Sequence, residues 1–156
     1  MRINLLSLKK ISFLLFFIFL LQNQFVKASE LKSEAKELSQ IWESAIKNNR
    51  NRDHYAALED YTRALKIQPK NHFLFYNRGL TYANLQLLTQ AINDFERAIK
   101  IKSDFGPAYG DRGMAFYELD QKDKACKDFK KAADLKYKRA ISWIEDKNRS
   151  AWCTQN

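Results

Sequence analysis

From residue 38 onward apolar positions return every third or fourth residue, the spacing of helices with one buried stripe. The pattern also repeats over a longer interval. Ala57, Ala91 and Ala125 lie 34 residues apart, as do Ala64, Ala98 and Ala132, and again Ala45, Gly79 and Gly113. Tyr61, Phe95 and Phe129 keep the same register, with Asp60, Asp94 and Asp128 beside them. Three units follow, 38–71, 72–105 and 106–139, each reading as two amphipathic helices. The residue types supply the reason. A small residue in the first helix, opposite the first alanine of the second, lets two helix backbones approach closely. The aromatic fills the space beyond, and the second alanine makes room for the next unit. Residues 29–37 lead in to a first helix expected over Glu30–Asn49, with a polar loop at Asn48–Arg52. Residues 140–156 form a cap and tail: Lys138–Ser150, with Ile141, Trp143 and Ile144, reads as a helix covering the apolar end of the stack.

Upstream the pattern changes. Met1 to Lys10 is positively charged, and Ile11–Leu21 is an almost unbroken apolar run. Val26-Lys27-Ala28 then precedes Ser29. This order is that of a secretory signal peptide, residues 1–28, cleaved between Ala28 and Ser29. The competing reading is an uncleaved membrane anchor, although the apolar run is shorter than the ~20 residues of a spanning helix. Either way the domain is expected outside the cytoplasm: periplasm, lumen or medium if the source is bacterial.

The repeating residues resemble the tetratricopeptide repeat, whose pattern is W-x2-L-G-x2-Y, then A-x3-F, then P. Unit two supplies Phe75, Gly79, Tyr82, Ala91, Phe95 and Ala98. Unit three supplies Tyr109, Gly113, Phe116, Ala125, Phe129 and Ala132. Unit one is degenerate in its first helix (Ile41, Ala45, Asn48) but keeps Ala57, Tyr61, Ala64 and Pro69. The resemblance implies an all-α fold, a right-handed superhelix of three helix-turn-helix units with a C-terminal capping helix. There are departures. Ser103 and Tyr137 stand where unit one has Pro69, and Arg78 and Arg112 replace the leucine before the glycine. Each arginine is expected to form a structural ion pair with Asp60, Asp94 or Asp128 on a neighbouring second helix.

In function the resemblance implies a non-catalytic interaction module whose first helices line a concave, ligand-bearing face. Carried over by matched position, that face takes Trp42, Ile46, Asn49 and Arg50 from unit one. Unit two gives Phe73, Tyr76, Leu80, Ala83 and Asn84. Unit three gives Met114, Tyr117 and Glu118, with Gly110 leaving room. It lacks the Lys/Asn/Arg set with which some family members clamp a terminal carboxylate. Aromatic anchors with a few polar neighbours suit a peptide or helix of an unidentified partner protein. The alternative is a membrane-anchored or self-associating structural component of the cell envelope.

Composition narrows the rest. Gly 4 and Pro 2 are too few for the turns of a β-rich fold, and 11 Phe, 7 Tyr and 3 Trp are ample for a core. The formal charge is +9, but setting aside Arg2, Lys9, Lys10 and Lys27 leaves 23 basic residues against 18 acidic, a net of +5. That is not a nucleic-acid-binding polycation. Lys124, Lys127 and Lys131 form a basic stripe that reads as a solvated face, or more weakly as a contact for anionic lipid or an acidic partner. No nucleotide, metalloprotease or serine-hydrolase motif is present, and His54 and His72 stand alone, so neither catalysis nor a cofactor or metal is expected. In an exported protein the pair Cys126 and Cys153 suggests a disulfide tying the tail to the last repeat. Two free thiols are the other reading.

Overall fold

Helix is the only regular structure among the described residues. The order is α1 (Leu5–Arg50), α2 (His54–Ile67), α3 (His72–Asn84), α4 (Leu88–Ile101), α5 (Gly106–Glu118), α6 (Lys122–Asp134) and α7 (Lys138–Glu145), then a 3-10 turn at Ala151–Cys153. The computed structural model of the protein describes residues 5–146 and 151–153, the side chains of 5–12 excepted. Arg2 of the charged start and residues 147–150 of the expected cap lie outside them. The chain divides into two units, Met1–Gln40 and Ile41–Asn156.

In the first unit α1 has no polar face between Phe13 and Leu21, and these side chains are exposed, Phe13 by 72%. A helix apolar on all sides has no aqueous face to present. Its length and composition are those of a membrane span, a test that a signal sequence also passes. The expected helix over Glu30–Asn49 is the C-terminal part of this longer one. No break marks the boundary at Ala28, and the Ser29 hydroxyl donates to the Val26 carbonyl at 2.7 Å within the helix.

In the second unit the end of α1, α3 and α5 form one layer and α2, α4 and α6 the other. Close approach is visible at the repeated glycine. A Cβ on Gly79 would lie 2.8 Å from Phe95 Cε1 and 3.3 Å from the Ala91 carbonyl oxygen. Behind these contacts Tyr61, Phe95 and Phe129 are almost wholly buried, and Ala57, Ala64, Ala91, Ala98, Ala125 and Ala132 have no exposed surface. The alternation of ring and methyl group is what keeps the layers in contact without voids.

The turn inside each unit has its own repeat. Arg52, Gln86 and Asp120, again 34 apart, take φ of 63°, 59° and 56°. At Gln86 the amide reaches the Ala83 carbonyl at 2.9 Å and the next amide, Leu87, reaches Tyr82 at 2.9 Å. These two bonds close a left-handed helix end that glycine usually occupies. Side-chain caps begin α2 and α3, from Asp53 and Asn71, and none begins α4 to α7.

Two of the expected ion pairs form, each within its own unit. Arg78 grips Asp94 through Nε at 2.7 Å and Nη2 at 2.9 Å, and Arg112 grips Asp128 at 2.7 Å and 2.8 Å. Asp60 differs because unit one carries Ser44 at the arginine's position. It accepts instead from Asn48 Nδ2 at 3.0 Å. The cap helix is shorter than expected, ending at Glu145. It buries Ala140 and Trp143, and Trp143 stacks on Phe129 with ring centroids 3.9 Å apart. Beyond it the 3-10 turn brings Cys153 to Cys126, Cα atoms 5.3 Å apart and sulfurs paired.

Candidate functional site

The register that buries Gly79 and Phe75 on α3 turns Phe73, Tyr76 and Leu80 to the other side of the helix, and the same holds for Met114 and Tyr117 on α5. This is the face on which the tetratricopeptide resemblance leads one to expect a ligand. Its members are not equally available. Phe73 is 48% exposed, tilted against the imidazole of His72 at 4.1 Å between ring centroids and edge-on to Phe105. Leu80 is half-buried and Asn84 exposed.

The others carry structural contacts that sequence spacing does not reveal. Trp42 lies edge-on to Tyr61, and Ile46 beside it is half-buried. Asn49 is tied down: its amide donates to Thr81 Oγ1 at 2.9 Å, its carbonyl oxygen meets His54 Nδ1 at 3.1 Å, and it thereby ties α1 to both α2 and α3. Tyr117 faces Trp143 edge-on and stacks with Trp152, so the cap covers part of it. Gly110 leaves no empty room, because the Tyr137 ring fills the space, 2.5 Å from where a Cβ would stand.

Tyr76 is the most altered by its surroundings. Its hydroxyl donates to Asp111 Oδ2 at 2.7 Å, while Arg139 Nη1 donates to Asp111 Oδ1 at 3.1 Å and to Tyr137 Oη at 3.2 Å. Asp111 is buried. Burial raises its carboxyl above the ordinary value, opposed by the Tyr76 bond and by Arg139. Burial, then the Asp111 carboxylate, raises the Tyr76 phenol, so it remains a donor. Three helices thus converge on one carboxylate. Beside it opens a cleft of about 430 Å3 between α5 and α7, lined by Met114, Phe129 and Trp143 as well as Asp111 and Arg139. The available signal for this cleft in the sequence is Tyr137, at the position where unit one has proline.

Among the described residues no group of three or more metal-ligating side chains gathers. An apolar cleft with one buried carboxylate and a guanidinium at its rim is equipped to hold a side chain.

Paired helices repeating every 34 residues around small-residue contacts define a tetratricopeptide-type superhelix. The profile of the tetratricopeptide repeat family matches residues 74–105 and 106–139, so this stretch of the chain carries two such repeats. Among curated proteins none matches. Solved structures do. The TPR domain of Arabidopsis OM64 superposes with a TM-score of 0.69 at 25% identity, over 76% of this chain and 98% of that one. The first TPR of Spaghetti (RPAP3), bound to the HSP90 peptide SRMEEVD, gives 0.68 at 22% identity, over 75% and 94%. MamA gives 0.62 at 28% identity, over 67% and 61%.

Proposed function

We propose that the chain is a non-catalytic interaction module that holds a peptide or helix of a partner protein against the α3–α5–α7 face. The observation that carries this reading is Phe73, 48% exposed at one end of a face whose other end, at half-buried Met114, opens into the cleft beside Trp143. A structural neighbour supports it in kind: the first TPR of Spaghetti is bound to the HSP90 peptide SRMEEVD. At the centre of this face stands the Asp111 carboxylate, held by Tyr76 and Arg139.

The test is site-specific photo-crosslinking in the cell that makes the protein. A benzophenone amino acid at Phe73 is expected to capture a discrete polypeptide, and one at Glu59, on the exposed side of α2, to capture none. Capture from Glu59 alone sinks the proposal.

Export belongs to the same proposal, supported by the charged, apolar and small-residue order of residues 1–29. The anchored alternative draws on the span-like length of α1. N-terminal sequencing separates them: a chain beginning at Ser29 is cleaved, and one retaining Phe13–Leu21 is anchored.

A further inference from the structure

Helix α5 has a second lined face. Tyr109, Arg112 and Phe116, spaced i, i+3, i+7, lie on the opposite side of the helix from Gly110 and Met114. There they floor a furrow of about 630 Å3 walled by Lys124, Lys127 and Lys131 of α6. The floor is built, not incidental. Asp128 locks the Arg112 guanidinium, whose carbon stands 5.5 Å from the Tyr109 ring centroid and 5.8 Å from that of Phe116. Lys124 Nζ lies 5.2 Å over Phe116. The arrangement recurs one unit earlier. Arg78 lies 5.7 Å from the Phe75 centroid and Arg97, at the register of Lys131, lies 5.5 Å from the same ring. Cations beside aromatic rings therefore follow the repeat along the side away from the cleft.

The charge there is unspent. Asp128 is committed to Arg112, and among the described residues no ion pair engages Lys127 or Lys131. We propose that this furrow is a second docking surface, for an acidic polypeptide segment bearing apolar side chains. Its carboxylates meet Lys127 and Lys131, and an apolar side chain rests on the Tyr109 edge of the floor. A polypeptide fits better than a bilayer. The aromatic floor is recessed between helices, where a strand of chain can enter and a flat surface cannot. This surface is independent of the face proposed above, so one domain would hold two chains.

The probe is a fluorescein-labelled peptide of alternating Glu and Phe, titrated by anisotropy against the full chain in non-ionic detergent, with a Lys–Phe peptide as control. Saturable binding of the acidic peptide alone, weakening with salt, is expected. Lys127→Glu with Lys131→Glu should weaken it about tenfold or more, the sum of two exposed ion pairs lost and reversed. Phe73→Ala should leave it unchanged, which separates this proposal from the first. Both lysines are exposed, so circular dichroism of the double variant should match the parent. Equal binding by the double variant overturns the proposal. So does absence of peptide binding together with lysine-dependent flotation on phosphatidylserine vesicles, which would make the surface a lipid contact.

Discussion

Replacing Gly79 and Gly113 with alanine, one at a time, sets two effects of similar size against each other. In a helix interior alanine is favoured over glycine by about 1 kcal/mol. Space opposes it. A Cβ on Gly79 would meet Phe95 at 2.8 Å and 2.9 Å, and on Gly113 it would meet Phe129 at 3.0 Å and 3.1 Å, with a backbone oxygen 3.3 Å away in each case. Phe95 has 0% exposure, so its ring has nowhere to swing, and the backbone oxygen belongs to the facing helix. Overpacking a core by one carbon costs about 1–3 kcal/mol. Gly79→Ala should therefore destabilise the domain by about 1 kcal/mol net, and Gly113→Ala, with slightly more room, should fall near zero. Unit one shows that alanine is compatible with the position when the facing ring is Tyr61: Ala45 is fully buried there. The assay is urea unfolding of the full chain in non-ionic detergent, followed by far-ultraviolet circular dichroism with the slope held in common. If Gly79→Ala gains the full helix-propensity term, or the two variants shift alike, ring-to-backbone contact is not what sets the α3–α4 spacing, and the reasoning from the 34-residue pattern fails.

Two other outcomes are expected. Cys126 and Cys153 are separated by 27 residues, and a bridge over that separation limits the unfolded chain by about 3.5 kcal/mol, so Cys153→Ser should lower stability by roughly that amount. Trp152 should leave Tyr117 at the same time, seen as loss of near-ultraviolet dichroism. An unchanged urea midpoint in reductant would remove the bridge from the account. Asp111 gives a pH dependence of definite sign. Burial raises its folded-state value above 3.8, so the folded form binds the proton more tightly than the unfolded chain. Stability of the parent relative to Asp111→Asn should fall as pH rises from 3.8 through the raised value and be flat on either side. A relative stability that climbs over that window would mean that Tyr76 and Arg139 outweigh burial.

What the residues declared by themselves was the period and its cause. Ala57, Ala91, Ala125 and their partners are local in sequence and repeat three times, so close helix pairing could be read without coordinates. The same holds for Arg78 and Arg112, since a charge on a packed face requires a counter-charge and the repeated aspartates supply it. The left-handed turns at Arg52, Gln86 and Asp120 were hidden because none is glycine. Their conformation is held by the helix-end hydrogen bonds and by the packing on either side.

The binding face divides the same way. Helical spacing placed Phe73, Tyr76, Leu80, Met114 and Tyr117 on one side of their helices, because side-chain direction along a helix is fixed by position. Which of them remain free was decided by residues far away in sequence: Thr81 takes Asn49, Asp111 takes Tyr76, Tyr137 fills the gap over Gly110, and Trp152 lies on Tyr117. A periodic pattern specifies where a side chain points. Only the closing of one unit upon the next specifies what it meets there.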